Sequence, residues 1–488
     1  MPHSRWTALA VLSAAGLMTV LDGSIVTVAM PAIQHDVGFS PAGLSWMVNA
    51  YLIPFGGLLL LAGRLGDLLG RRTMFLTGNA VFTLASLLAG AASSPGTLIA
   101  ARFLQGAGSA MAAAVVLGIL VTLFTDPAGR ATAIAVFSFT GAAGASIGQV
   151  LGGVLTDTLS WPWIFFINVP IGIATITLGA ITLPRDRGAG LAAGADVLGA
   201  VLVTSGLMLG IYTVVKVEQY GWTATHTLGL GAVSLALLAG FAARQATART
   251  PLMPLRILRS RNVTGANLAQ MLALSGMFAF QVLVALHMQK VLGYTALQTG
   301  LAMLPAAVGI GAISLFASAR LTSRFGARTV LLAGLTMLIS AMALLSQIPV
   351  RADYVTHLLP PMLLISGGGL VLPALATLGM SGARESDAGL ASGLFNTTQQ
   401  VGMALGVAVL STLAASRTDG LLTAGADQAT ALTSGYRLAF TLSAALLLTA
   451  FLIGVTVLRR PTPTQLAASG GYSPVTHPSK PAEPTSWP

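Results

Sequence analysis

Apolar residues along this chain fall into runs of roughly 20, separated by short polar connections. A helix of about 20 residues rises 1.5 Å per residue and crosses a hydrocarbon layer of about 30 Å. The pattern therefore predicts an all-α integral membrane protein with fourteen transmembrane helices. The predicted spans are 8–30, 44–62, 74–93, 98–123, 131–155, 163–183, 195–216, 225–243, 264–287, 298–319, 329–347, 356–378, 390–414 and 437–458.

Composition supports a membrane protein. Hydrophobic residues make up 55% of the 488 residues and charged residues only 8%, whereas soluble domains carry roughly 25% charged residues. So few charges cannot coat a chain of this length in water. The sequence has no cysteine, which excludes disulfide bonds and thiolate metal sites.

The net charge of +11 follows the predicted topology. Alternate connections hold 19 of the 25 lysine and arginine residues, all on one side. By the positive-inside rule that side is cytoplasmic, together with both termini. The lipid bilayer is therefore the expected partner, the bacterial cytoplasmic membrane the expected location, and no nucleic-acid partner is needed to explain the charge.

An internal repeat divides the chain. The segments 64–72 and 320–328 both read R-L-x-x-x-x-G-x-R, and duplicated helical halves are typical of transporters whose substrate site lies between them. We predict a six-helix half (1–190), an inserted helix pair (191–245), a second six-helix half (246–460) and a disordered cytoplasmic tail (461–488) rich in proline, serine and threonine.

A carboxylate, Asp22, lies about halfway along the first span. Because an ionised group there costs several kcal/mol, it must face the protein interior or a cavity. Removal from water favours the protonated form, so Asp22 is a candidate to bind and release a proton. The alternative is a neutral side chain that joins helices. The equivalent position in the second half is Phe278.

Span 4 carries Arg102, Gln105 and Ser109 on one helical face. A buried arginine can hold a nearby carboxylate ionised until a proton or substrate displaces it. The alternative for Arg102 is an extended side chain that reaches the membrane surface.

The segment 63–72 is predicted to connect spans 2 and 3 on the cytoplasmic side. Its glycines permit a tight turn, and Asp67 can cap a helix or pair with Arg130. Such contacts would latch one conformation; the alternative is a charged turn that only anchors the topology. The candidate gating residues are Gly63, Asp67, Gly70, Arg71, Arg72 and Arg130.

Small residues recur at every fourth position of span 5, which favours close approach of another helix and a rocking contact between the halves. These residues are Gly144, Gly148 and Gly152, followed by Gly153. Neutral polar side chains in the spans either line a substrate path or join helices. The candidates for a substrate cavity are Asn49, Tyr51, Gln149, Asn168, Gln270, Gln281, Asn396, Gln399 and Gln400. His287, near the end of span 9, is expected to be solvated.

Taken in order, these motifs resemble the major facilitator superfamily, and specifically its fourteen-span drug:proton antiporters. The resemblance also includes the segments 161–172 and 251–262. It implies a major facilitator fold with helices arranged 6+2+6. It also implies that Asp22 is the proton-linked carboxylate, with Arg102 and Gln105 in the motif tied to proton coupling. Gln149 departs from the family pattern, which has proline there.

The resemblance implies a secondary active transporter, not an enzyme. It would export a small hydrophobic or amphipathic drug or antibiotic in exchange for protons by alternating access, as a monomer without cofactor or metal. Acidic residues are missing from the second-half spans, which favours neutral, zwitterionic or anionic substrates. The alternative is a proton-coupled or facilitative transporter of another small metabolite. A membrane-embedded enzyme is a remote alternative, because it would need clustered acid–base residues.

Overall fold

The computed structural model describes residues 2–40, 43–124, 127–186, 188, 190, 196–248, 251, 255–381 and 388–458. Within those ranges the chain is helical and has no strands. The α-helices are α1 (Pro2–Val37), α2 (Trp46–Leu69), α3 (Arg71–Gly90), α4 (Pro95–Leu123), α5 (Pro127–Thr158), α6 (Trp163–Phe166), α7 (Asn168–Thr182), α8 (Val197–Tyr220), α9 (Thr225–Thr247), α10 (Arg261–Lys290), α11 (Ala296–Ala312), α12 (Ala319–Phe325), α13 (Ala327–Leu345), α14 (Leu359–Leu364), α15 (Gly368–Ser381), α16 (Ala388–Thr423) and α17 (Gln428–Thr456).

Twelve helical segments in the described ranges are long and apolar enough to cross a membrane, and Gly43–Leu59 is a shorter apolar helix. The all-helical membrane class is therefore confirmed, whereas the number of fourteen spans stays a prediction. The tail predicted over 461–488 lies outside the described residues.

Two predicted spans are single apolar runs whose helices are interrupted. A π-helical segment, Ile313–Ser318, separates α11 from α12, and a 3-10 turn, Ile365–Gly367, separates α14 from α15. The second break falls in a run of glycines, which weaken a helix. A methyl group added at Gly369 would lie 2.4 Å from the Ile310 carbonyl oxygen. The glycines therefore make the helix less regular at this break, but they allow it to pack closely against α11.

The connection predicted over 63–72 is wrong in extent. Helix α2 continues to Leu69 and α3 begins at Arg71, so Gly70 alone lies between them. Gly70 has a φ of 101°, a conformation that glycine adopts without a steric penalty. The motif is therefore the end of one helix and the start of the next.

The second copy of the repeat has the same geometry. Gly326, with a φ of 84°, separates α12 from α13. Arg72 donates to the carbonyl of Ala180 in α7, and Arg328 donates to the carbonyls of Gly454 and Val455 in α17. In each copy an arginine after the glycine therefore binds free carbonyls near the end of a later helix.

Helices α8 and α9 form a hairpin whose open end is joined by Asp196. Its carboxylate accepts from the Gly199 amide at 2.9 Å, from Arg244 Nε at 3.0 Å and from Gln245 Nε2 at 2.8 Å. Helix α8 packs against both α2 and α16. A methyl group added at Gly57 of α2 would lie 2.6 Å from Thr204 Oγ1 of α8. The hairpin therefore packs closely against α2.

The bundle has two ends. We define the terminal end as the one where α1 begins and α17 finishes, and the distal end as the one where α1 and α10 finish and α17 begins. At the distal end, Asp157 of α5 accepts from the Leu297 amide of α11 at 2.8 Å. Gln289 Nε2 of α10 donates to the Val28 carbonyl of α1 at 3.1 Å. Helices of the first predicted half (1–190) therefore contact helices of the second (246–460) at this end.

Candidate functional site

Asp22 is fully buried, with 0% of its surface exposed. Its Oδ2 accepts from Arg102 at 2.5 Å, and its Oδ1 accepts from Gln105 Nε2 at 3.1 Å and from Asn168 Nδ2 at 2.8 Å. An ionised carboxylate has only acceptor sites, so three donors match it well. The structure thus brings together Asp22, Arg102 and Gln105, which the sequence pattern singled out.

Arg102 is 1% exposed, so the alternative of a side chain extended to the membrane surface is wrong. Its Nε donates to the Met47 carbonyl at 2.9 Å, and its Nη1 also donates to Gln105 Oε1 at 2.9 Å. The guanidinium carbon lies 4.5 Å from the Tyr51 ring centroid, within reach of a cation–π interaction. The arginine is therefore held from several helices at once.

A serine that the sequence pattern did not single out completes the cluster. Ser86 Oγ of α3 accepts from Gln105 Nε2 at 2.8 Å. Asn168, the first residue of α7, was a candidate for the cavity but instead contacts Asp22. Ser86 is the single serine of α3 and belongs to no sequence pattern, so only the tertiary structure reveals this contact. We call Asp22, Ser86, Arg102, Gln105 and Asn168 the carboxylate cluster.

The cluster can change its hydrogen bonding when a proton binds. Protonation would place a donor on Asp22 among groups that already donate, and it would leave the Arg102 charge without its counter-ion. The resulting loss of contacts would loosen α1 from α4 and α7. Such a group can couple proton binding to helix movement. No group of histidine, cysteine or carboxylate residues in the described ranges is arranged to bind a metal.

The segment around Gly70 is stabilised by a residue that the sequence pattern did not single out. Asp186 accepts from the amides of Arg71 at 2.5 Å and Arg72 at 3.1 Å. A carboxylate there caps the start of α3 and complements the helix dipole. Arg71 also donates to the Gly118 carbonyl of α4 at 3.1 Å.

The remaining gating candidates are only partly described. Gly63 lies inside α2, where an added methyl group would meet Ala114 at 3.9 Å. The side chains of Asp67 and Arg130 lie outside the described residues. Their expected contact is therefore untested, and the latch stays a prediction.

The glycine series of α5 packs mainly within its own half. Methyl groups added at Gly144, Gly148 and Gly152 would lie 2.8 to 3.0 Å from carbonyl oxygens of α1, on the stretch of α1 that carries Asp22. Only Gly153 approaches the other repeat copy, where an added methyl group would lie 2.5 Å from Leu297 Cα. Of the four glycines only Gly153 therefore contacts α11, although the Gln149 carbonyl of α5 also lies close to Gly300 of α11. Helix α5 runs unbroken through Gln149.

The cavity candidates do not form one group. Tyr51 belongs with Arg102 and donates to Ser109 Oγ at 2.9 Å. Gln270 Nε2 donates to the Phe395 carbonyl at 3.3 Å and to Gln399 Oε1 at 3.4 Å. Among these candidates, the buried side-chain oxygens without a hydrogen-bond partner in the described part of the chain belong to Asn49, Gln149, Asn168, Gln270 and Gln400. Gln281 is half-buried on α10, and Asn396 is half-buried and has a partner.

His287 is not solvated as expected. It is 0% exposed, and neither ring nitrogen has a hydrogen-bond partner within the described part of the chain. Its ring lies edge-on to Tyr436, with 5.9 Å between centroids.

The sequence matches a family model described as "Major Facilitator Superfamily" over residues 12–407. The chain belongs to the major facilitator superfamily. Members of this superfamily are membrane transporters, and the chain is accordingly a multi-pass membrane transporter and not an enzyme. The resemblance drawn from the motifs is thereby confirmed at the level of the family.

Two curated relatives in the superfamily are similar over most of their length. The puromycin resistance protein of Streptomyces alboniger is 37% identical over 486 residues, which cover 98% of this chain and 95% of that protein. The cephamycin export protein of Amycolatopsis lactamdurans is 41% identical over 420 residues, which cover 85% and 86%.

Solved structures of transporters share the major facilitator fold. The nucleoside transporter NupG gives a TM-score of 0.66 at 12% identity, covering 93% of this chain and 100% of NupG. A bacterial homologue of the human lysosomal transporter Spinster, in an inward-facing and unoccupied conformation, gives 0.62 at 16% identity, covering 94% and 99%. At these identities the similarity shows the fold alone.

Proposed function

We propose that this protein exports a small amphipathic drug or antibiotic across the bacterial cytoplasmic membrane in exchange for protons. The export of antibiotics is supported by the puromycin and cephamycin relatives, which match over at least 85% of this chain. Substrate would bind between the two six-helix halves and cross by alternating access, in a single copy of the chain.

The proton link rests on one observation, the buried carboxylate of Asp22 paired with Arg102. In the paired state the carboxylate is ionised and α1, α4 and α7 are held together. A proton that reaches Asp22 removes the charge and frees Arg102, which favours a second helix arrangement. One charge that moves down 100 mV supplies about 2.3 kcal/mol, enough to drive export against a modest gradient.

The orientation follows from the charge distribution. Most basic residues lie in connections at the terminal end, so the terminal end with both chain termini would face the cytoplasm. The distal end would then face outward, and the contacts between α5 and α11 would close the outer side.

A proton-flux measurement in inside-out vesicles tests the coupling. We expect that puromycin dissipates a preformed pH gradient in vesicles with the unaltered protein, and that Asp22→Asn abolishes this response. Asp353→Asn is the matched control, since Asp353 is exposed and caps its own segment at the Thr356 amide. Full puromycin-driven proton movement with Asp22→Asn would disprove the assignment of Asp22.

Misfolding must be separated from uncoupling. Removal of one partner from a buried pair costs about 3–5 kcal/mol, because the other charge stays buried. The double variant Asp22→Asn with Arg102→Gln removes both charges, so we expect it to recover the elution profile of the folded protein but not proton movement. If it recovers proton movement as well, the pair only stabilises the fold.

A further inference from the structure

A cavity lies at the distal end, away from the carboxylate cluster. Its volume is about 160 Å³, and most of its wall comes from α10, α16 and α17. Met30 of α1 and Leu44, just before α2, close it from the other repeat copy. No member of the carboxylate cluster lines this cavity, so the two sites are separate.

The wall is mostly apolar, but it carries two charges of opposite sign. Leu283, Leu286 and Leu432 supply apolar surface, whereas Lys290 and Asp419 supply the charges. An apolar cavity with a few placed polar groups is the usual form of a small-molecule site.

The two charged side chains do not form an ion pair with each other. Lys290 Nζ donates to Gln34 Oε1 of α1, and no ion pair involves Lys290 or Asp419 in the described part of the chain. Both are only half-buried. A charge beside apolar surface keeps a strong preference for an opposite charge, since water screens it less there.

We propose that this cavity binds a small amphipathic zwitterion, with an aromatic or aliphatic body among the leucines. The ligand carboxylate would bind Lys290 and its ammonium group would bind Asp419. A simple anion or cation would meet one like charge, which counts against its binding. A dry cavity of about 150 Å³ holds a benzene-sized ring, so the volume suits a small compound better than a lipid chain.

Three compounds that share one benzene ring, the size that the cavity holds, test the charge requirement. Phenylalanine carries both charges, phenethylamine carries only the ammonium group, and 3-phenylpropanoic acid carries only the carboxylate. Binding of each tritiated compound to purified protein in nanodiscs is measured by scintillation proximity, with empty nanodiscs subtracted. We expect the zwitterion to bind roughly tenfold more tightly than either partner, since a hydrogen bond to a charged group contributes about 1.5–3 kcal/mol. Equal affinity for all three compounds would overturn the proposal.

Variants locate the binding. We expect Lys290→Gln to remove the advantage of phenylalanine over phenethylamine, and Asp419→Asn to remove its advantage over 3-phenylpropanoic acid. Leu432→Trp fills the cavity from α17 and should abolish binding. Leu448→Trp is the control on the same helix, because Leu448 is 49% exposed on the outer surface of the bundle. Binding that survives Leu432→Trp would lie elsewhere and contradict the assignment.

A membrane phospholipid with a zwitterionic head group shares this chemistry. Nanodiscs that contain only anionic lipid are therefore compared with nanodiscs that contain phosphatidylethanolamine. Unchanged affinity for phenylalanine supports a small compound as the occupant, and competition by phosphatidylethanolamine would overturn it. The measurement needs no transport, so its failure is distinguishable from failure of the proposed proton exchange.

Discussion

At the scale of single residues, Asp22 and His287 are two fully buried ionisable side chains whose hydrogen bonding differs completely. Asp22 accepts from three side chains, which is what its burial requires. His287 is equally buried but has no partner for either nitrogen among the described residues. An unpaired buried polar group destabilises a protein by about 1–3 kcal/mol. The unpaired imidazole of His287 is therefore expected to lower the stability of the folded protein.

Replacement of His287 by phenylalanine should stabilise the protein. Phenylalanine keeps the edge-on contact with Tyr436 and removes two unpaired nitrogens, so we expect His287→Phe to raise the unfolding temperature in detergent. His226→Phe is the control, because His226 is exposed and stacks on Tyr220 at 4.3 Å; it should have little effect. A lower unfolding temperature for His287→Phe would mean that the imidazole is hydrogen-bonded in solution.

At the scale of helices, the α8–α9 hairpin depends on a carboxylate at its open end. Burial raises the pKa of Asp196, but hydrogen bonds from Gly199, Arg244 and Gln245 lower it more, so the pKa lies below its ordinary value of 3.8. The ionised form is thus stabilised by folding. Its contribution is complete well above that value and is lost as the pH falls below it.

The pH dependence of unfolding tests this contribution. We expect Asp196→Asn to lower the unfolding temperature at pH 7, and the difference from the unaltered protein to shrink as the pH is lowered through about 4. Asp427→Asn provides a comparison, since Asp427 caps only the first turn of α17 through the Thr430 amide. A difference that stays constant down to pH 3 would show that the charge of Asp196 is not responsible.

At the scale of the whole molecule, the distal end is closed by contacts between the two repeat copies. Thr295 and Gln298 cap the start of α11 from within their own helix. The Leu297 amide is bound by Asp157 of α5, so one part of the cap comes from the opposite half. Opening of the distal end must break this bond, and Asp157 therefore favours the closed arrangement.

Removal of the Asp157 carboxylate should open the distal end. The chain has no cysteine, so Val28→Cys introduces a single reactive thiol. Val28 of α1 is fully buried in this structure, and its carbonyl accepts from Gln289 of α10. A hydrogen bond to a charged group contributes about 1.5–3 kcal/mol. We therefore expect Asp157→Ala to speed maleimide labelling of Val28→Cys about tenfold or more in purified protein. Asp427→Ala removes a similar carboxylate cap that lies within one half, and it should leave the labelling rate unchanged; equal effects of the two variants would contradict this role.

The sequence by itself determined the membrane class, because the length and composition of apolar runs depend only on local chemistry. It also placed Asp22, Arg102 and Gln105 in one candidate site, since a charge inside a membrane span is expensive and needs a partner. The repeat around Gly70 and Gly326 was visible for a similar reason. Glycine at a positive φ is a local requirement, and the structure has it in both copies.

Tertiary structure alone decided which groups meet. Ser86 and Asp186 have no distinctive spacing, yet packing brings them to Gln105 and to the start of α3. The α5 glycines could have faced either half, and only the approach of α1 shows which. Contacts between distant segments depend on the relative placement of whole helices. That placement is a property of the complete bundle, which no single run of residues encodes.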